Sequence, residues 1–347
     1  MKRLACLVMA VCLALSLVNC AFAATKELVV FNWEDYIDKA VLDQFTEETG
    51  IKIKYTNFTT NEEMYVKISS GGGNYDVLFP SDYIIERMIK EDRLAKLNLS
   101  EMPNTSGLLE WLKTPGYDPA GEYSVPYMWG TVGILYDESQ IIAPVTSWEA
   151  LFDESYLDNV FMMDSIRDTI GLALKSLGYS MNTRDADELE AAKALLIKQK
   201  LDGIVKAYQV DETKDKMVAG EAALAVVWSG DAVYAMERNE SLGYVIPEEG
   251  SNVWVDGMVV PKDSQNLEAA QQFIDFLCRP DIAAINMEEI GYSSPIAQVA
   301  DESEAEGKIA YAQNPPREII DICEFFHDIS EHMDMYDRIW MEVKTAR

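Results

Sequence analysis

Short apolar strands alternate with amphipathic helices along this chain, and that alternation restricts its fold more than any other feature. Leu28-Val29-Val30-Phe31 reads as a strand. Lys39 to Thr49 follows with helical spacing at Val41, Leu42 and Phe45, and Gly50 stands where a C-cap glycine would end the helix. Ile51 to Tyr55 alternates as a strand, Asn61 to Ser70 as a helix, Tyr75 to Phe79 as a strand ended by Pro80, and Ile84 to Leu94 as a helix. Strands interleaved with helices predict a mostly parallel sheet flanked by helices. Ligands bind such sheets outside the carboxyl ends of the strands, which places Trp33 to Tyr36 and Ser81 to Tyr83 at a site.

A long extended run from Tyr123 to Tyr136 separates this set from a second one. Ser147 caps a short helix at Trp148 to Phe152, Val160 to Met163 is a strand, and Asp168 to Leu177 and Ala186 to Lys200 are helices. Ala222 to Val227 is a buried strand running into Trp228-Ser229-Gly230-Asp231. Val253 to Val260 is another, followed by helices at Leu267 to Leu277 and Asp281 to Ile290. The tail from Arg317 reads as largely helical, with His327 and His332 on it. No repeat or low-complexity linker divides the chain, so the two sets are expected to interweave.

Residues 1–23 carry the marks of a secretory signal peptide: Met1-Lys2-Arg3, an apolar run from Leu4 to Val18, and Ala21-Phe22-Ala23 as the cleavage site. Asn19 stands where a lipobox before Cys20 has a small residue, which disfavours lipidation. The 29 Lys and Arg less the two of the leader leave 27 against 59 Asp and Glu, a net charge of −32 over the mature chain. That balance argues against nucleic acid and anionic lipid as partners and favours cationic ligands. After the leader, Cys278 and Cys323 remain of five cysteines. Their spacing leaves a disulfide open.

Catalytic signatures are missing: the chain has no G-x-S-x-G, H-E-x-x-H, Walker A or G-x-G-x-x-G motif. Two histidines five apart do not make a metal pair, so neither a metal nor a cofactor is expected. What recurs is an aromatic beside a carboxylate at strand ends: Trp33-Glu34-Asp35-Tyr36, Ser81-Asp82-Tyr83, Trp228-Ser229-Gly230-Asp231 and Trp254-Val255-Asp256. Aromatic faces attract ammonium groups at about 0.5–2 kcal/mol per contact, and carboxylates accept their protons in charge-assisted hydrogen bonds. The combination suits an alkyl diammonium. On the residues alone, a receptor for a sugar, a cationic amino acid or a metal complex stays open, and so does an exported carboxylate-pair hydrolase.

The runs FNWEDYI, QFTEETGIKI, YDVLFPSDY, YSVPYMWGTVGI, VTSWEALFD, SLGYS, WSGDA, WVDGMVVP, FLCRPDIA and IGYSSP span nearly the whole mature chain. Together they resemble the bacterial periplasmic spermidine/putrescine-binding proteins of polyamine ABC transporters. The resemblance implies a two-lobed α/β periplasmic-binding-protein fold (type II-like) with the ligand in the cleft between lobes. Residues 24–130 and 254–310 would form the N-terminal lobe, and 131–253 and 311–347 the C-terminal lobe. It also implies a monomer that closes on a polyamine and delivers it to a membrane permease.

Carried over by position, Trp33, Tyr36, Trp228, Trp254 and Tyr292 are the implied aromatic walls. Ser81 and Tyr83 are polar wall residues; Asp35 with Asp256 is expected to grip one ammonium, and Asp168 with Asp231 the other. Glu34 and Asp82 neighbour these positions and join the candidate set. The resemblance further implies that Arg167 positions Asp168. Ser165 stands where spermidine receptors resemble each other in an aspartate, whereas Asp231 matches the putrescine-preferring branch. Phe325-Phe326-His327 replaces a more polar stretch. Putrescine is therefore the expected ligand, with spermidine next.

Overall fold

The computed structural model describes residues 27–347; the leader, with Cys6, Cys12 and Cys20, lies outside the described residues. Among the described residues nine strands form one continuous curled sheet: β1 (Glu27–Trp33), β2 (Lys52–Phe58), β3 (Val77–Leu78), β4 (Ser124–Asp137), β5 (Val160–Met163), β6 (Val205–Gln209), β7 (Leu224–Trp228), β8 (Leu242–Val245) and β9 (Val253–Val259). Their order is β2-β1-β3-β9-β4-β7-β5-β6, with β8 paired to β4. Parallel pairing follows the helix alternation within each half, as β1 with β2 and β3, and as β5 with β6 and β7. The long strands β4 and β9 add antiparallel pairing between and beside those halves.

β4 joins the two halves. Its first part, through Thr131, pairs with β9, and from Val132 onward it pairs with β7. Pro126 has no N–H to give the ladder, and the register slips between Pro126 and Met128, as a bulge requires. Buried clusters lie on either side of this crossing. Two are built mainly from residues 28–129 and 253–299, and two from residues 132–246 with Ile329 and the helix Met333–Thr345. The result is a two-lobed α/β fold.

Local signals explain the helix ends. Asp38 accepts from the N–H of Ala40 at the start of Lys39–Thr49, and Gly50 ends that helix at φ 73°, a conformation that penalises a Cβ. The tail is largely helical, as expected, but with a break after its first turn. Helix Arg317–Ile320 stops early, and Glu324 instead bonds along the edge residues Ser251 and Val253 (Glu324 N to Ser251 O, 2.8 Å; Val253 N to Glu324 O, 3.0 Å). The backbone of this segment is satisfied by a neighbouring strand, so His327 lies outside any helix and does not share one with His332. Elements β6, Glu212–Val218 and β8 escaped the sequence reading; they are short and only weakly patterned.

Both cysteines are free thiols: Cys278 is packed in the first lobe's core and Cys323 against clusters on both sides. Burial pushes Cys278 up and Cys323 to about 11, so both are protonated at neutral pH. Among the described residues no helix is long and apolar enough to cross a membrane. Among them also no group of three or more His, Cys, Asp or Glu is placed to hold a metal.

Candidate ligand site

β9 carries Asp256, 7% exposed, to the point where Ser81 bridges to it after β3. Ser81 Oγ donates to Oδ1 at 2.6 Å and Tyr36 Oη to Oδ2 at 2.7 Å. Desolvation pushes the Asp256 carboxyl up to about 6, against the two hydrogen bonds that favour its charged form. Ser81 is itself held. Asn61, at the start of the helix after β2, donates from Nδ2 to Ser81 Oγ at 2.9 Å and accepts from Ser81 N–H at 3.1 Å. The same Nδ2 reaches Tyr83 Oη at 3.2 Å, and that hydroxyl donates to Glu62 at 3.0 Å. Sequence reasoning missed Asn61, although its place beyond the carboxyl end of β2 was a usable signal.

The aromatic residues gather around Asp256. Tyr36 and Tyr292 stand edge to face at 6.3 Å, and Tyr292 meets Trp254 at 4.9 Å and 89°. Trp33 is anchored by its indole N–H to the Phe79 carbonyl at 2.8 Å. The Trp254 indole nitrogen is buried without a partner. Trp228 ends β7 opposite Val132, half-buried against the second lobe's core, on which Trp254 also packs. Gly230, two residues on, lets the two halves meet: a Cβ there would fall 2.4 Å from the Tyr292 ring.

The acids fall into different classes of environment. Asp168, in the first turn of helix Ile166–Ser176, is 6% exposed and accepts from Ser165 Oγ at 2.5 Å through Oδ2. Its Oδ1 is buried with no partner, and burial pushes its carboxyl above the ordinary range. Asp231 accepts from Lys214 Nζ at 3.1 Å. Asp82 is 1% exposed, and its two oxygens hold backbone N–H groups, of Tyr83 at 2.7 Å and Val255 at 3.3 Å. Its carboxylate fastens β9 to the helix Asp82–Lys90. Glu34 and Asp35 lie exposed on the turn after β1, Asp35 at φ 50°, and neither carboxylate takes part in a hydrogen bond or ion pair among the described residues.

Arg167 does not bond to Asp168. Its guanidinium donates to the His327 carbonyl at 3.2 Å and to Asn182 Oδ1 at 3.0 Å, over the Phe326 ring at 4.2 Å. It thereby pins the tail against the second lobe, 5.9 Å from the Tyr83 ring. Its influence on Asp168 is through charge alone, which opposes the upward push of burial.

The bacterial extracellular solute-binding protein model matches residues 40–316. The chain is 34% identical over 326 residues to the spermidine/putrescine-binding periplasmic protein of Salmonella typhimurium, with 92% of each chain covered. It is also 34% identical over 306 residues to the putrescine-binding periplasmic protein SpuD of Pseudomonas aeruginosa, with 82% of each covered. Among solved structures, the spermidine/putrescine ABC transporter substrate-binding protein PotD of Streptococcus pneumoniae superposes with a TM-score of 0.83. It is 37% identical, and the match covers 92% of this chain and 99% of that one. A two-lobed fold, a buried acid ringed by aromatics and a family match over most of its length agree: the chain belongs to the bacterial extracellular solute-binding protein family.

Proposed function

We propose that this protein is a periplasmic polyamine receptor of an ABC transporter, with putrescine preferred and spermidine next. It captures the amine between its two lobes and delivers it to a membrane permease, and it has no catalytic role. In this reading residues 24–130 and 254–310 form one lobe and residues 131–253 and 311–347 the other. The observation that carries it is Asp256, a desolvated carboxylate gripped by Ser81 and Tyr36 beneath the Tyr292–Trp254 wall. A buried anion with a raised pKa is under-compensated, and an ammonium group supplies the missing charge. The unpartnered Oδ1 of Asp168 is the acceptor for the far ammonium. The relatives named for spermidine and putrescine support the same class of ligand.

Six heavy atoms at a ceiling of about 1.5 kcal/mol each allow roughly 9 kcal/mol, which is sub-micromolar capture. Titration calorimetry against putrescine, spermidine and a neutral hexose tests the proposal. The amines are expected to bind and the sugar to give no heat; the reverse would overturn it. Amine affinity should hold above pH 7 and fall as pH drops through about 6, where Asp256 takes up a proton. Tyr36→Phe removes a donor that favours the charged carboxylate, so this midpoint is expected to move up by about one pH unit. An unmoved midpoint would take Asp256 out of the binding step.

A further inference from the structure

Asp231 and Asp256 both act on Tyr292, and together they raise the pKa of its phenol beyond what burial alone does. Tyr292 meets Tyr36, which bonds Asp256, and its ring also lies against Gly230, the residue before Asp231, so it touches both halves of the molecule. The two carboxylates differ in one respect. Asp256 receives only neutral hydroxyl donors, whereas Asp231 already holds a cation.

That cation is Lys214, from the short helix Glu212–Val218 that follows β6. Its Nζ lies 3.1 Å from Asp231 Oδ1, with the lysine side chain 31% exposed and the aspartate 14%. Burial pulls Lys214 down, and Asp231, Asp211 and Asp215 more than offset this and keep it charged. The Tyr234 ring lies 5.2 Å from Nζ, and Tyr234 Oη donates to Asp215. The ammonium of a lysine and that of an alkylamine are the same chemical group. A tethered one competes at millimolar or higher effective concentration, without the entropy a free ligand loses on binding.

We propose that Lys214 is a specificity-determining residue that occupies the amine position at Asp231 and limits the cleft to a short diamine. This rests on the polyamine reading above. Asp256 then takes one ligand ammonium and Asp168 the other, and the Asp231 carboxylate, already paired, is not free for a third. A triamine would instead bring a positive charge toward Lys214, which repels it. Putrescine preference would therefore come from an internal cation as well as from the length of the slot.

The test is calorimetry of wild type, Lys214→Met and Lys214→Arg with putrescine, spermidine and spermine, with thermal melts confirming that each variant folds. Methionine keeps the length and apolar stem of lysine without the charge. Lys214→Met is expected to improve spermidine affinity relative to putrescine by about tenfold or more, the worth of a freed charge-assisted bond. Lys214→Arg, which keeps the cation, should keep the wild-type ratio. An unchanged ratio in Lys214→Met, or an equal loss for all three amines, would overturn the assignment while leaving the polyamine reading intact. Wild type that binds none of the amines would overturn both.

Discussion

Asp256→Asn is expected to lose amine binding by roughly 30-fold to more than a thousandfold while making the empty protein more stable at neutral pH. The first effect follows from removing one partner of a buried, hydrogen-bonded charge pair, which costs about 2–5 kcal/mol. The second comes from the same burial. The Asp256 carboxyl titrates near 6 in the folded protein and near 3.9 in an unfolded chain. Between those values the native state binds more protons than the unfolded one, so stability falls as pH rises through the interval. The contribution is fully present below about pH 4 and gone above about pH 6. The stability lost across that interval is at most about 3 kcal/mol, and relaxation around the ion lessens it.

An isosteric amide carries no such penalty. The variant's melting temperature at pH 7 should therefore rise by a few degrees, and its advantage over wild type should shrink toward pH 4. Binding is read by calorimetry and stability by melts across that range. A variant that binds amines as wild type does would remove Asp256 from the site. One that melts lower at pH 7 would show that the Ser81 and Tyr36 bonds outweigh desolvation.

Gly230→Ala is the second large effect, and it tests the meeting of the two halves rather than a charge. The added Cβ would lie 2.4 Å from two carbons of the Tyr292 ring, closer than such atoms approach. Tyr292 packs on the first lobe's core, while Gly230 opens the helix Ser229–Arg238 of the second. The clash therefore burdens the arrangement in which the halves touch, and each lobe's own core is left intact. Overpacking of this kind costs about 1–3 kcal/mol, so amine affinity should drop by about 5- to 150-fold. The melt of the free protein should move little, because an opened cleft relieves the contact. Small-angle scattering with saturating putrescine should show a more open average shape than for wild type. Unchanged affinity would mean that Tyr292 shifts without consequence and does not wall the ligand.

Much of the site was legible because a strand's carboxyl end is a local property. Trp33, Tyr36 and Ser81 follow from finding β1 and β3 and asking what comes at or beyond their ends, whereas Trp254 and Asp256 lie within β9 itself. Adjacency could not say what each carboxylate does once folded. Asp82 and Asp256 read alike in sequence, each close to an aromatic. Asp82 is turned onto the N–H groups of Tyr83 and Val255, whereas Asp256 faces two hydroxyls. Arg167 and Asp168 are consecutive, yet the arginine reaches Asn182 and the His327 carbonyl instead. Neighbours in a helix point to different faces, so adjacency is poor evidence of contact.

The sequence by itself determined the alternating α/β architecture, the family, and the supply of aromatic and acidic groups, because periodicity and strand-end chemistry are written in short stretches. Tertiary structure alone decided which acids remain available to a ligand. Lys214 reaches Asp231 across 17 residues, Ser81 reaches Asp256 across 175 and Tyr36 reaches it across 220. The two contacts to Asp256 depend on how β9 returns the chain to the first lobe, and the third on how two short helices pack across β7, which no local pattern encodes.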